Sequence, residues 1–435
     1  MQRLLVGLAL ALFLAAPHAE AGRNRPACTY DAGALPADTL PATALHGDQI
    51  PIDHIVVLMQ ENRSFDHMLG KLFEVQPKAT GLTIPRFNPD PTSLGMIGSF
   101  HQTRLCEVAD LAHSWNATHR EIGPFSFMDG FTAANVADVD PTGRRTMGYF
   151  TSEDIPFYYA LYSTFAIGDR YFASVPGPTY PNRFFLLAGT SFGRIRNEFP
   201  QKANEYGPSI FDRMNAGGVD WKAYYSDIPF AGFFAGARAH LDRIVTIDSF
   251  FEDAAAGTLP QVAFVDPRFG GGPETETDEH PPGNVQLGQA FVASVVQAMF
   301  ESPNWGRSAL FVVYDEHGGY YDHVAPPGAC IPDATPPRLQ PGDTVAAFDR
   351  LGIRVPMVAV SPWSRPGFVS HRTHDHTSIL RFIETRFDLP ALTARDANAW
   401  PPLELFDFTT PHFATPPALP AADVDPDRAA ECAPE

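Results

Sequence analysis

Four short runs along the chain are almost wholly apolar and stop abruptly at polar residues. HIVVLM (54–59) ends at Gln60-Glu61-Asn62, and QVAFV (261–265) ends at Asp266-Pro267. ALFVVY (309–314) ends at Asp315-Glu316-His317, and VPMVAV (355–360) ends at Ser361-Pro362. Runs of this length, β-branched and without alternation, read as strands covered on both faces. Between them, NRFFLLAGTS (182–191), GNVQLGQAFVASVVQAMFES (283–302) and TSILRFIETRF (377–387) repeat apolar residues at helical spacing. The alternation predicts an α/β fold: a mostly parallel sheet with helices on both faces. In such sheets ligands sit beyond the carboxyl ends of the strands. Three of the four runs carry acidic residues there, so the pattern predicts that Glu61 and Asn62 meet Asp315 and Glu316 along one sheet edge.

Weak periodicity marks residues 76–150 and 200–260 as loop or cap insertions in a catalytic domain spanning 46–410. At the start, Arg3, the apolar run Leu4 to Ala16 and the small-x-small triplet Ala19-Glu20-Ala21 read as a secretory signal peptide, residues 1–21. That run is too short to span a membrane, and no twin arginine precedes it. The expected destination is the periplasm or the exterior. Residues 22–45 form a leader of the mature chain, and the Pro/Ala-rich tail, 411–435, is expected to lie extended on the surface.

Composition narrows the function. The 42 prolines and 34 glycines of the 435 residues are spread out, as in a loop-rich enzyme. A net charge of −19 argues against nucleic acid as a partner. It leaves room for a phosphate-bearing substrate, because a metal reverses the sign of one pocket. None of Cys28, Cys106, Cys330 and Cys432 is in a C-x-x-C pair, which argues against a zinc-thiolate site. In an exported chain they are expected to form two disulfides. Cys106 and Cys330 both flank site motifs, so Cys106–Cys330 with Cys28–Cys432 is the preferred pairing.

In SVPGPTYPNRFFLLAG (174–189), Pro181 suits the first turn of a helix starting near Thr179. Thr179 is then either the N-cap or a nucleophile at a helix end that favours anions. Arg183, one turn on, is placed to hold a phosphate oxygen. FVVYDEHGGYYDHVAPP (311–327) is denser, with Asp315 and Glu316 on a tight Gly-Gly turn after a buried strand. Directed carboxylates of this kind suit a metal, and His317, Asp322 and His323 are candidates for orienting them. DLAHSWNATH supplies His113 and His119, and ETETDEHPPGN supplies Asp278, Glu279 and His280. His371, His374 and His376 cluster before a helix and read as loop or supporting residues. Sequons at Asn62 and Asn116 carry little weight.

Taken together, ENRSFDH, DLAHSWNATH, PGPTYPNR, DEHPP and YDEHGGYYDHVAPP occur in one order from about Ile52 to Asp388. The set resembles the phosphoesterase family of bacterial phosphatidylcholine-type phospholipases C, plant non-specific phospholipases C and related acid phosphatases. The resemblance implies an alkaline-phosphatase-like sandwich and one divalent metal held by Glu61, Asn62, Thr179, Asp315 and Glu316. It further implies Thr179 as the nucleophile, and His113 and His280 contacting the phosphoryl group or protonating the leaving oxygen. His317 differs among branches of the family. A sulfatase of this superfold needs Cys or Ser at the nucleophile, which Thr179 is not.

An all-oxygen ligand set favours Ca²⁺, Mg²⁺ or Mn²⁺ over Zn²⁺. The expected reaction is phospholipase C cleavage of a phospholipid through a phosphothreonine, with transient contact at a lipid surface. The net charge disfavours anionic bilayers and points to a zwitterionic head group. Phosphomonoester hydrolysis is the alternative, and a non-catalytic lipid-binding protein would need a degraded site, whereas every matched position is intact. Phe125, Phe127, Tyr149, Phe150, Phe157, Tyr158 and Tyr159 either box a choline or belong to the core. Oligomeric state is left open.

Overall fold

The computed structural model describes residues 28–202 and 205–432. The proposed signal peptide lies outside the described residues. Eight strands form one sheet: β1 (His54–Gln60), β2 (Ala166–Gly168), β3 (Trp221–Tyr225), β4 (Ile244–Thr246), β5 (Val262–Asp266), β6 (Ser308–Tyr314), β7 (Met357–Val360) and β8 (Val369–Ser370). Their order is β8-β2-β7-β6-β1-β5-β3-β4. All neighbours run parallel except β7, which is antiparallel to both β6 and β2. The four apolar runs are therefore strands, but the end of the fourth points away from the other three.

β1 lies between β5 and β6, and every residue of β5 and β6 is buried. Val57 is in register with Phe264 and with Phe311, so the three share a face. On that face Phe311 meets Phe382 of the helix His376–Phe387, and Phe264 meets Phe211 of the helix Ile210–Gly217. Tyr314 has the opposite parity. Through Glu279 it is linked to Tyr158 on the helix Pro156–Thr164. Strand alternation thus divides the helices between two faces.

Two expectations are corrected. Residues 200–260 are not simply decoration: β3 and β4 extend the main sheet from within them. β3 hid from pattern reading because it mixes Lys222 with aromatics near the sheet margin. The disulfides are Cys28–Cys330 and Cys106–Cys432, not the preferred pairing. The leader runs beside residues 391–398, where Gly33 N donates to Ala391 O and Thr29 N to Asn398 Oδ1. Arg395 of that stretch binds the Cys330 carbonyl. The tail instead returns along residues 103–107, with Arg104 donating to Glu431 O at 2.7 Å. Each terminus is sewn to a different loop of the domain. Among the described residues no helix is long and apolar enough to cross a membrane.

Candidate active site

Register builds the site. Gln60 pairs with Tyr314, and Asp315 N donates to Gln60 O at 3.1 Å, so Glu61-Asn62 and Asp315-Glu316 leave the sheet side by side. Glu61 N donates to Asp278 O at 2.7 Å, which draws in the loop carrying His280. The turn after Glu316 requires glycine twice. Gly318 and Gly319 have φ of +61° and +77°, and a Cβ on Gly318 would sit 2.1 Å from Asn62 O.

The helix Thr179–Ala188 delivers the hydroxyl. Thr179 is its first residue, and the N-cap is Pro178, which makes no side-chain cap. Asn197 takes the capping role, accepting from Tyr180 N at 2.8 Å. The Thr179 hydroxyl, buried, faces Asn62 Oδ1 at 3.4 Å. One turn on, Arg183, expected to hold a phosphate oxygen, lies among the site's carboxylates. Its Nε lies 3.0 Å from Glu61 Oε1 and 3.5 Å from Asp315 Oδ2, and Nη2 donates to Met59 O at 2.9 Å. Phe230 and Phe269 flank the guanidinium. The helix's direction points Arg183 back at the strand ends, where three carboxylates compete for it, Asp266 included.

Even so, the acids are not all compensated. Asp315 Oδ2 and Glu316 Oε1 are buried without a hydrogen-bond partner. Burial, with Glu61 and Glu316 nearby, drives the Asp315 carboxyl well above the usual range despite Arg183. Burial also opposes ionisation of Glu316, but His113 and His317 outweigh it and hold its pKa below the ordinary value. His317 lies 3.2 Å from Glu316 and 2.6 Å from Glu121. Burial works against its charge, yet Glu121 and Glu316 raise it to about 9.

On the other side His113 Nε2 approaches Glu316 Oε1 at 3.7 Å, while its Nδ1 meets Leu111 O at 2.8 Å. Burial disfavours its charged form, but Glu316 and Asp110 hold its pKa above normal. The His280 ring is 5.5 Å from that of His113, edge on, and its Nδ1 meets Pro281 O. Ligating atoms of Asp110, His113 and His280 fall within 4.8 Å of one another. A cavity of about 330 Å³ adjoins His113 and Pro178 and is lined by Asn116, Arg196, Asn197 and Asp343 among others.

Several residues singled out from the sequence go elsewhere. Asp322 and His323 do not orient Asp315 or Glu316. They join Asp66 and Arg354 in a separate buried cluster, with His323 Nδ1 2.7 Å from Asp66 and Arg354 Nε 3.0 Å from Asp322. Ligating atoms of Asp66, Asp322 and His323 also lie within 4.8 Å of one another, but Arg354 already supplies the cation. Phe150, Phe157, Tyr158 and Tyr159 are core, and none of the seven aromatics lines the cavity beside His113. His376 supports the site from behind, its Nε2 2.7 Å from Asp315 O, while His371 pairs with Asp169 and His374 with Glu404. Missed was Glu121, visible only once its helix packs on His317; Asp266, noted at its strand end but not assigned to the site, lies 3.6 Å from Arg183.

Carboxylates with unpartnered oxygens at the strand ends thus stand beside two loop histidines and a hydroxyl at a helix start. The profile of the Phosphoesterase family matches residues 52–390, and the chain belongs to that family. It is 35% identical over 422 residues to non-specific phospholipase C6 of Arabidopsis thaliana, covering 91% of this chain and 80% of that one. It is 32% identical to phospholipase C B of Mycobacterium tuberculosis, covering 86% and 81%. Non-hemolytic phospholipase C of Pseudomonas aeruginosa is 31% identical, covering 88% of this chain and 61% of that one. A solved structure of a protein in the alkaline phosphatase superfamily from Vibrio parahaemolyticus aligns over 87% of this chain and 76% of its own, at 11% identity and a TM-score of 0.42.

Proposed function

We propose that the chain is an exported, metal-dependent phospholipase C that cleaves phospholipid to diacylglycerol and a phosphorylated head group. The observation that carries this reading is the pair of buried, unpartnered oxygens of Asp315 and Glu316, beside the Asn62–Thr179 contact at the strand ends. Leaving such atoms bare is costly, and a cation held by Glu61, Asn62, Thr179, Asp315 and Glu316 removes that cost. Bound there, a hard divalent cation supplies positive charge for the phosphoryl oxygens.

The chain's own residues do the rest. Arg183 positions Glu61 and Asp315. The Thr179 oxygen attacks phosphorus in line, forming the phosphothreonine bond as the bond to the diacylglycerol oxygen breaks. His113, with its pKa raised, carries the proton that the leaving oxygen takes, and His280 faces the same space. Water then attacks phosphorus and gives a proton back to the histidine as the P–Oγ bond to Thr179 breaks, and the Thr179 oxygen regains from solvent the proton it released on attack. Two disulfides accord with export to an oxidising compartment.

The test is incubation with phosphatidylcholine and analysis of products. Diacylglycerol and phosphocholine are expected. Untouched lipid with rapid turnover of simple phosphomonoesters assigns the site to an acid phosphatase.

A further inference from the structure

The segment 76–150, which carries His113 and packs a small core of its own around Ile122, Met128 and Phe131, forms a lobe that also displays large apolar side chains. In its antiparallel hairpin, Phe87 pairs with Gly98 and Pro89 with Met96. Asn88 turns inward, its side chain bonding Met128 O at 3.0 Å and Phe131 N at 2.9 Å. By alternation Phe87 and Met96 face outward, 55% and 59% exposed, and Leu94 at the turn is fully exposed. The Asn88 bonds tie this hairpin to the loop holding Phe125 and Phe127, each 71% exposed, with rings 5.7 Å apart. Ser126 and Met128 in that loop have φ of +61° and +56°, a region non-glycine residues seldom occupy. Met128 is anchored in the lobe's own core with Ile122 and Phe131, so the backbone is held while the two rings project. Ile122 ends the helix that begins just after His113, so the lobe couples these rings to the site.

Charge indicates the partner. Residues 83–100 and 124–128 contain only Arg86 and Asp90 as ionisable side chains, in a chain of net −19, and from outside these segments Arg350 donates to Ser126 Oγ at 2.6 Å. A cluster of separate, projecting apolar groups with few charges suits shallow insertion among head groups, where burying a charge would be costly. We propose that Phe87, Leu94, Met96, Phe125 and Phe127 form the surface by which the enzyme inserts into a zwitterionic phospholipid bilayer. The proposal rests on the phospholipase reading.

The experiment compares the mature protein with the double variant Phe125→Ser/Phe127→Ser. Co-sedimentation with phosphatidylcholine vesicles is expected to fall roughly tenfold or more, while turnover of a soluble chromogenic phosphodiester is unchanged. Phe127→Trp provides a second readout: its fluorescence is expected to shift to the blue with these vesicles. Equal vesicle binding by the double variant, or no shift for the tryptophan, overturns the proposal. A wild-type dimer that the double variant dissociates, with vesicle binding unchanged, assigns the patch to self-association and also overturns it. Absence of soluble phosphodiester turnover in wild type, with vesicle binding lost in the variant, rejects the enzymatic reading and retains the docking surface.

Discussion

The motif from Asp315 to His323 feeds two buried charge clusters a few residues apart, and they are built on opposite terms. At its far end Asp322 and Asp66 share Arg354, which donates to both carboxylates, and His323 closes the ring on Asp66. At its near end Asp315 and Glu316 each keep an oxygen without a partner, although Arg183 and His113 stand close. The first cluster ties the helix Phe65–Leu69 to Asp322 and Arg354, and each of its carboxylate oxygens has a hydrogen-bond partner, although burial still raises the Asp322 carboxyl to about 6. The second is stable only as far as the fold forces it. Complete hydrogen bonding marks a structural device, whereas carboxylate oxygens left without a partner mark a place where a ligand supplies the missing charge.

The largest effect is expected at Thr179. Thr179→Ala should lower turnover ~1,000-fold or more with an unchanged unfolding midpoint, because Asn197 caps the helix instead. Thr179→Ser should retain measurable activity. Steady-state rates alongside urea denaturation check both, and an alanine variant above about a tenth of wild-type rate would remove Thr179 from the chemistry.

Asp315→Asn and Asp322→Ala should then separate the clusters. The first should cost about a hundredfold or more in rate while leaving the metal-free protein as stable or more stable, since it removes a carboxyl whose ionised form burial disfavours. The second should cost about 3 kcal/mol of stability by leaving Arg354 underpaired, with the rate per folded molecule nearly intact. Equal effects on stability would end the distinction.

Chelation sharpens the same point. Adding a chelator to wild type should abolish activity and lower the unfolding free energy by about 2.7 kcal/mol if the cation had been present at a hundred times its dissociation constant. Mg²⁺, Mn²⁺ or Ca²⁺ should restore both. The Asp315→Asn protein should show little thermal shift under the same treatment, followed by calorimetry.

The smallest effect concerns a compensated acid remote from both clusters. Burial opposes the charge on Glu404, but His374 and Ser370 lower its pKa from 4.5 to about 2. A depressed carboxylate contributes stability above its unfolded pKa and loses it as pH falls through the folded one. Glu404→Gln should therefore destabilise at pH 7, and the gap from wild type should close between about pH 4.5 and 2. Urea midpoints across that range measure it, and a gap independent of pH would contradict the assignment.

What could be read from the chain alone follows from local rules. HIVVLM and ALFVVY announce buried strands by composition, and polar residues immediately after them must emerge at an end. Once both strands run parallel, Glu61-Asn62 and Asp315-Glu316 are neighbours by register, and the Gly318-Gly319 turn is legible because only glycine accepts that backbone so close to Asn62. Partner choice among distant groups follows no such rule. Arg183 serves carboxylates because its helix points it at the strand ends, and Asp322 turns to Arg354 from 32 residues away in sequence. Cys28 meets Cys330, and Cys106 meets Cys432, because of the paths the two termini take over the surface. Periodicity and backbone strain act between residues near in sequence and so leave their mark there. Electrostatic and disulfide pairing act through space, and only the folded chain sets which groups come within reach.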